Sequence, residues 1–277
     1  MEFTSLKEKY LYYRNQTDFR LSTDGYVMVM LDGRSFSKKI KKYFKRPFDS
    51  DFIVIMNETA KYLCEKVSGC KLAYVQSDEI SLVLHTSETQ EPFFGNRQCK
   101  LLSIIASMAT SKFNQLIAIH SIKKRSYDTT KIDCKDTLYS INDVLDYMSI
   151  MPLYEFDCKA WNVPDINDAY ASILYRQNDC IRNSKEAVAQ NKFSHDELYK
   201  KKTDEQIAMV KEQFGIDWET DFNNGEKYGR FVIPFVSEVY YEGEAEPTLR
   251  HSWKIYDGFP IGKENNRKEI MKVLEHE

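Results

Sequence analysis

Glycine and proline are scarce in this 277-residue chain, numbering 10 and 7. No linker rich in them is present, nor any internal repeat or low-complexity run, so compact packing is expected throughout. The six cysteines (Cys64, Cys70, Cys99, Cys134, Cys158 and Cys180) show no Cys-x-x-Cys and no Cys/His ligand spacing. A structural zinc site is therefore not expected, and the thiols read as reduced and mostly core. There is no apolar stretch of membrane-spanning length, and Met1-Glu2-Phe3-Thr4-Ser5 opens into charged residues rather than a signal peptide. The expectation is a soluble, cytoplasmic protein with no membrane partner, an organellar location staying open. Net charge is only −3, which on its own does not announce a nucleic-acid binder.

What the chain does have is a 42% apolar fraction rich in Tyr and Phe, enough for a real core, and two acidic turns, each closing an apolar strand. Leu31-Asp32-Gly33-Arg34-Ser35-Phe36 follows Tyr26-Val27-Met28-Val29-Met30. Gln76-Ser77-Asp78-Glu79 sits between Lys71-Leu72-Ala73-Tyr74-Val75 and Ile80-Ser81-Leu82-Val83-Leu84, the pattern of a hairpin with a carboxylate at its tip. Either piece alone is more often an ordinary turn. Between them, Phe52, Ile55, Met56, Thr59 and Leu63 fall at helical spacing, so the order is strand, helix, strand, strand. That unit can bring Asp32 and Asp78 side by side as in a polymerase palm, where two Asp hold two divalent cations against a triphosphate.

Charge is unevenly placed. Arg34, Lys38, Lys39, Lys41, Lys42, Lys45 and Arg46 follow the first turn with no acid among them, and Lys123-Lys124-Arg125 form a second cluster. Directly after a phosphate loop, this favours an anionic partner over a merely solvated face.

The fold class expected is α+β: a polymerase- or cyclase-like palm, an antiparallel sheet with packed helices, over residues 1–163. A helical extension with a C-terminal hairpin, packed on the palm, is expected over 164–277. Within the first part a long helix is expected from about Arg97 to His120, a short one from Ser140 to Tyr147, and a strand from Pro152 to Trp161. In the second, helices are expected over Asp165–Gln190 and Ser194–Phe214. The latter opens on a Ser194/Glu197 capping box and stops at Gly215. Tyr228–Tyr241 and Arg250–Ile255 read as the terminal strands.

Several motifs occur together and in order: Leu31-Asp32-Gly33-Arg34-Ser35-Phe36, Arg46-Pro47-Phe48-Asp49, Met56-Asn57, and Gln76-Ser77-Asp78-Glu79. Asn96-Arg97 with Lys100 and Ser103, Phe156-Asp157-Cys158, and Tyr175-Arg176-Gln177-Asn178-Asp179-Cys180 through Arg182-Asn183-Ser184 follow. In these the chain resembles the tRNA-histidine guanylyltransferase superfamily, and within it the guanylyltransferase-like branch that repairs tRNA 5′ ends. The resemblance implies a template-dependent 3′-to-5′ polymerase that adds nucleotides to the 5′ end of tRNA or tRNA-like RNA. That end is first activated by ATP or GTP, or carries a triphosphate, and the 3′-hydroxyl of the incoming nucleoside triphosphate attacks it.

By the same resemblance, Asp32, the Gly33 carbonyl and Asp78 are ligands of two Mg²⁺ ions, with Glu79 beside them. Gly33, Arg34, Ser35 and Phe36 cradle the triphosphate through their backbone amides. Ser77, Arg46 and Asp49 complete the nucleotide site, and Arg97 and Lys100, one helical turn apart, clamp phosphate. Lys38, Lys41, Lys42, Arg176, Arg182 and Asn183 face the RNA. A homotetramer is implied as well.

The chain departs from the family pattern at Met30, Ser37 and Arg46. Above all, Ile181-Arg182-Asn183-Ser184 stands where guanylyltransferases acting on tRNA-His without a template carry a His-Ile-Asn-Asn run. The alternatives are a tRNA-His guanylyltransferase, a nucleotidyl cyclase-like enzyme, and a non-catalytic RNA-binding factor.

Overall fold

A computed structural model describes residues 3–41, 43–87, 89–128, 152–240 and 247–275, with side chains of 122–128 left aside. The helix expected at Ser140–Tyr147, Lys42, Cys134 and the Lys123–Arg125 side chains lie outside the described residues.

The elements in chain order are α1 (Leu6–Asn15), β1 (Tyr26–Gly33), α2 (Phe36–Ile40), α3 (Ser50–Lys66), β2 (Cys70–Gln76), β3 (Glu79–Leu84), α4 (Gln98–Asp128) and β4 (Phe156–Val163). There follow α5 (Ile166–Gln190), α6 (His195–Leu198), α7 (Thr203–Phe214), α8 (Asn224–Tyr228), β5 (Arg230–Val239), β6 (Thr248–Asp257) and α9 (Glu264–Glu275). The strands form one antiparallel sheet in the order β4-β1-β3-β2-β5-β6. This is the α+β palm expected, and the terminal hairpin β5–β6 joins the same sheet through β2.

The central strands are apolar on both faces because helices cover both. Val27, Val29, Leu31, Val75, Ile80 and Leu82 pack with Met56 and Leu63 of α3 and Ile105 and Phe113 of α4. On the other face Tyr26, Met28, Leu72, Tyr74 and Val83 meet Tyr170 and Ile173 of α5 and Ile270 and Leu274 of α9. Each fully buried Leu or Ile here contributes about 1.5–3 kcal/mol relative to an exposed one.

Two expectations are corrected. By length and composition Gln98–Ser121 of α4 is apolar enough to cross a membrane. Its stripe of Leu101, Ile105, Ala109, Phe113 and Ile117 is nevertheless buried against the sheet, as in a core helix. The helix expected over Ser194–Phe214 is two. The capping box at Ser194 opens only the short α6, Lys200 turns left-handed (φ 61), and α7 restarts with Glu205 bonding the Lys202 amide. Three consecutive lysines at 200–202 carry no apolar stripe to hold one continuous helix together.

Candidate active site at the end of the sheet

Antiparallel register decides which side chains meet. Asp32, near the end of β1, lies opposite Glu79 of β3 on one side and Asp157 of β4 on the other. Directly opposed residues share a face, so three carboxylates stand in a row on the α5 side of the sheet. Asp78 sits at the hairpin tip beside them, and its carbonyl accepts the Gly33 N–H at 3.1 Å. Gly33 is required there, since a Cβ would fall 2.5 Å from the Phe36 ring.

Burial, and then the neighbouring Asp157, push the Asp32 carboxyl above the usual range. Asp78 is pushed up as well, by burial first and with Asp32 adding repulsion, while the Ser77 hydroxyl, donating at 2.9 Å, pulls the other way. Two half-buried carboxylates that repel one another are a suitable seat for a hard divalent cation. Glu79 is differently employed. It accepts from Gln76 Nε2 at 2.8 Å and is ion-paired with Arg176, which also reaches Asp179 at 3.3 Å. Among the described residues no group of three or more His, Cys, Asp and Glu has metal-binding geometry. The Asp32 and Asp78 carboxylates and the Gly33 carbonyl are the oxygens at this place that could hold a cation, whereas Glu79 is engaged by Arg176.

The expected run of four free amides is halved. The Gly33 N–H goes to Asp78 and the Arg34 N–H to the Glu155 carbonyl at 2.9 Å. Ser35, left-handed at φ 58, and Phe36 follow at the turn. The Phe36 ring itself is core, packed on Phe113, Tyr154 and Phe156, while the Arg34 side chain pairs with Glu155 at 3.3 Å.

A cavity of about 450 Å³ opens off this end of the sheet. Its walls carry Ser77, Asp78, Glu79, Arg46, Asp49 and Asn183 from the sequence reading. Asp49 is largely committed. As N-cap of α3 it accepts from the Asp51 and Phe52 amides, and its other oxygen takes the Lys45 amide at 2.8 Å. Lys38 and Lys41 are exposed on and just beyond α2. Arg182 is exposed and tied to Asp179 in its own helix.

Arg97 and Lys100 are not brought to the cavity. Helix α4 begins beside β4 at the level of Ala160, whose carbonyl takes Gln98 Nε2 at 3.0 Å, three residues along from the Asp32–Asp157 pair. There Arg97 makes a two-pronged bond to Asp18, at 2.8 and 3.0 Å, which keeps the Asp18 carboxyl below its usual range.

Three residues escaped the sequence reading as site residues. Asp157 was legible only as the middle of Phe156-Asp157-Cys158. Gln76 and Arg230 are both buried and both line the cavity. Arg230 donates from Nε to Asn57 at 3.0 Å and from Nη1 to the Gly225 carbonyl at 3.2 Å. Its Nη2, like Gln76 Oε1, has no partner, and burial lowers its pKa. An unmet buried group of this kind costs about 1–3 kcal/mol, more for a charged one. The available signal was a charge at the head of the apolar run Phe231-Val232-Ile233.

Comparison with known proteins fits this geometry. A bacterial tRNA(His) guanylyltransferase (Thg1)-like protein in complex with ATP superposes with TM-score 0.75 at 26% identity, covering 98% of this chain and 99% of that one. Such a protein in complex with GTP gives 0.69 at 25%, with the same coverage. The tRNA(His) guanylyltransferase of Neurospora crassa is 29% identical over 57% of this chain, a match spanning only 46% of that protein. The family profile for tRNAHis guanylyltransferase matches residues 9–164. With the palm sheet, the paired Asp32 and Asp78 and this match over more than half its length, the chain belongs to the tRNA(His) guanylyltransferase family of nucleotidyltransferases.

Proposed function

We propose that the chain adds nucleotides in the 3′-to-5′ direction to the 5′ end of tRNA or a tRNA-like RNA, copying the opposing strand. The observation that carries this is Asp78, with Asp32 close enough to repel it, on the wall of a nucleotide-sized cavity that Asn183 of α5 also lines. The ATP and GTP complexes of the related bacterial proteins support a nucleotide in that cavity.

The donor set fits magnesium. Asp32, Asp78 and the Gly33 carbonyl would hold it, two ions in all. Bound there, magnesium supplies neutralisation of phosphate charge and acidification of the attacking hydroxyl. The protein's own part is positional. Arg176 engages Glu79, which leaves the cation to Asp32 and Asp78. The Ser35 and Phe36 amides and Arg46 face the triphosphate. Asn183, on the α5 wall, and the exposed Arg182 beside it face the RNA end. Ile181-Arg182-Asn183-Ser184 supports templated addition: pairing with the opposing strand positions the incoming nucleotide, a task the protein then need not perform.

The test uses purified full-length protein with 5′-monophosphorylated tRNAs lacking the first nucleotide and carrying each of the four opposing bases. The expected product is the complementary nucleotide in every case. Incorporation of G regardless of the opposing base would overturn the templated reading in favour of a histidine-type guanylyltransferase.

A further inference from the structure

Ser184 lines the cavity, yet its hydroxyl serves a residue outside it: buried on α5, it accepts the Trp218 indole N–H at 2.7 Å. We infer that Trp218 is a positioning residue for nucleotide addition. With Phe222, four residues on, it ties the two walls of the cavity together, so that the RNA end at α5 meets the nucleotide held by the palm in line. This rests on the proposed function above.

Neither Trp218 nor Phe222 lines the cavity, but each touches a residue that does. Trp218 bonds Ser184 of the α5 wall, and Phe222 packs edge-on against Phe48 of the Arg46–Asp49 wall, with ring centres 5.5 Å apart. Phe48 joins this outlying cluster, whereas Phe44 and Phe52 on either side of it in sequence pack into the palm core. One closed turn presents both rings. The Thr220 and Asp221 amides return to the Asp217 carbonyl at 3.2 and 2.9 Å, and the Asp221 carboxylate accepts the Asp217 amide at 2.9 Å. Trp218 is itself held by two ammonium groups, Lys185 and Lys227, 5.0 and 5.7 Å from its ring. Lys185 is fixed in turn by Asp204 at 2.8 Å, and Lys227 by the Glu219 carbonyl at 2.6 Å.

Arg46, Ser77 and Asp78 stand on the loop and hairpin side of the cavity, and Asn183 on the α5 side. Releasing Ser184 from Trp218 therefore leaves the nucleotide's phosphate contacts in place and frees the opposite wall. The loss falls on alignment of the reacting groups, where a displacement of about 1 Å costs up to about a hundredfold in rate.

The experiment uses Trp218→Phe, which keeps an apolar ring in the cluster and removes the indole N–H. Val210→Ala, in the same cluster and fully buried but part of neither tie, is the control for stability. Each full-length variant is melted, assayed for addition to tRNA lacking its first nucleotide, and titrated with GTP without RNA. Trp218→Phe should lower kcat about tenfold with GTP binding changed by less than about twofold, whereas Val210→Ala should lower Tm and leave kcat as it was. Ser184→Ala should match Trp218→Phe, and the double variant should be no slower than either alone. If Trp218→Phe fails to fold, Phe222→Leu, which loosens the other tie from outside the cavity, takes its place and should also lower kcat. An unchanged kcat in the Trp218 or Phe222 variant overturns this inference alone, as does slowing by Ser184→Ala only, which would put that hydroxyl on the substrate. Absence of addition by the unaltered protein overturns the proposed function and this inference together.

Discussion

At the scale of single residues, the two half-buried acids carry the heaviest demand. Asp32→Ala or Asp78→Ala should abolish nucleotide addition by about a hundredfold or more while leaving the fold intact, because neither side chain belongs to an apolar cluster. Rate assays beside thermal melts check this; near-normal turnover in either variant removes the ligand assignment. Two thiols make a second contrast. Cys158 is pushed up to about 12, by burial and then by Asp157, so it stays protonated at neutral and mildly alkaline pH. Cys99 is exposed. A thiol reagent at pH 8 should label Cys99 quickly and leave Cys158 until the protein is unfolded, read by mass spectrometry. Asp32 and Asp78 were legible because each ends an apolar strand. The ion pairs that engage Glu79 and Arg97 were not, since Arg176 and Asp18 lie 97 and 79 residues away in sequence.

Helices and turns are the scale at which local chemistry is most readable, and also where it misleads. The apolar runs of β1, β2 and β3 and the spacing in α3 and α5 fix those elements directly, because packing on two faces and local propensity agree. The run 194–214 failed because the Ser194 capping box opens only one short turn, and after a left-handed Lys200 the chain starts a second helix where the Glu205 carboxylate accepts the Lys202 amide. Asp49 shows the same ambiguity in one residue: part of the nucleotide site by resemblance, a cap accepting three amides in the structure. Asp49→Ala should therefore destabilise the protein by about 1–2 kcal/mol. Asp49→Asn, which keeps an accepting oxygen for the α3 amides, should restore most of that in a denaturant melt. A loss of nucleotide affinity in the Asn variant at unchanged stability would return Asp49 to the binding site.

For the whole molecule the question is whether residues 1–163 stand alone. The sequence pattern breaks near Pro164, but the sheet does not: β2 pairs on one side with β3 and on the other with β5. Cutting after Val163 removes β5, leaving the backbone of β2 as an open edge in the middle of what was a six-stranded sheet. It also removes α5 and α9, so that Met28, Leu72, Tyr74 and Val83, each almost fully buried, face water together. Losing the cover of four such side chains costs roughly 1.5–3 kcal/mol apiece, comparable to or larger than the whole stability of an ordinary domain. Residues 1–163 expressed alone should therefore aggregate or show no cooperative melt. Co-expression with 164–277 as a separate chain should recover soluble protein, because α5, β5 and α9 then return to the same face and edge. A soluble, cooperatively melting 1–163 fragment would mean that the palm carries its own core and that the C-terminal part is an appendage to it.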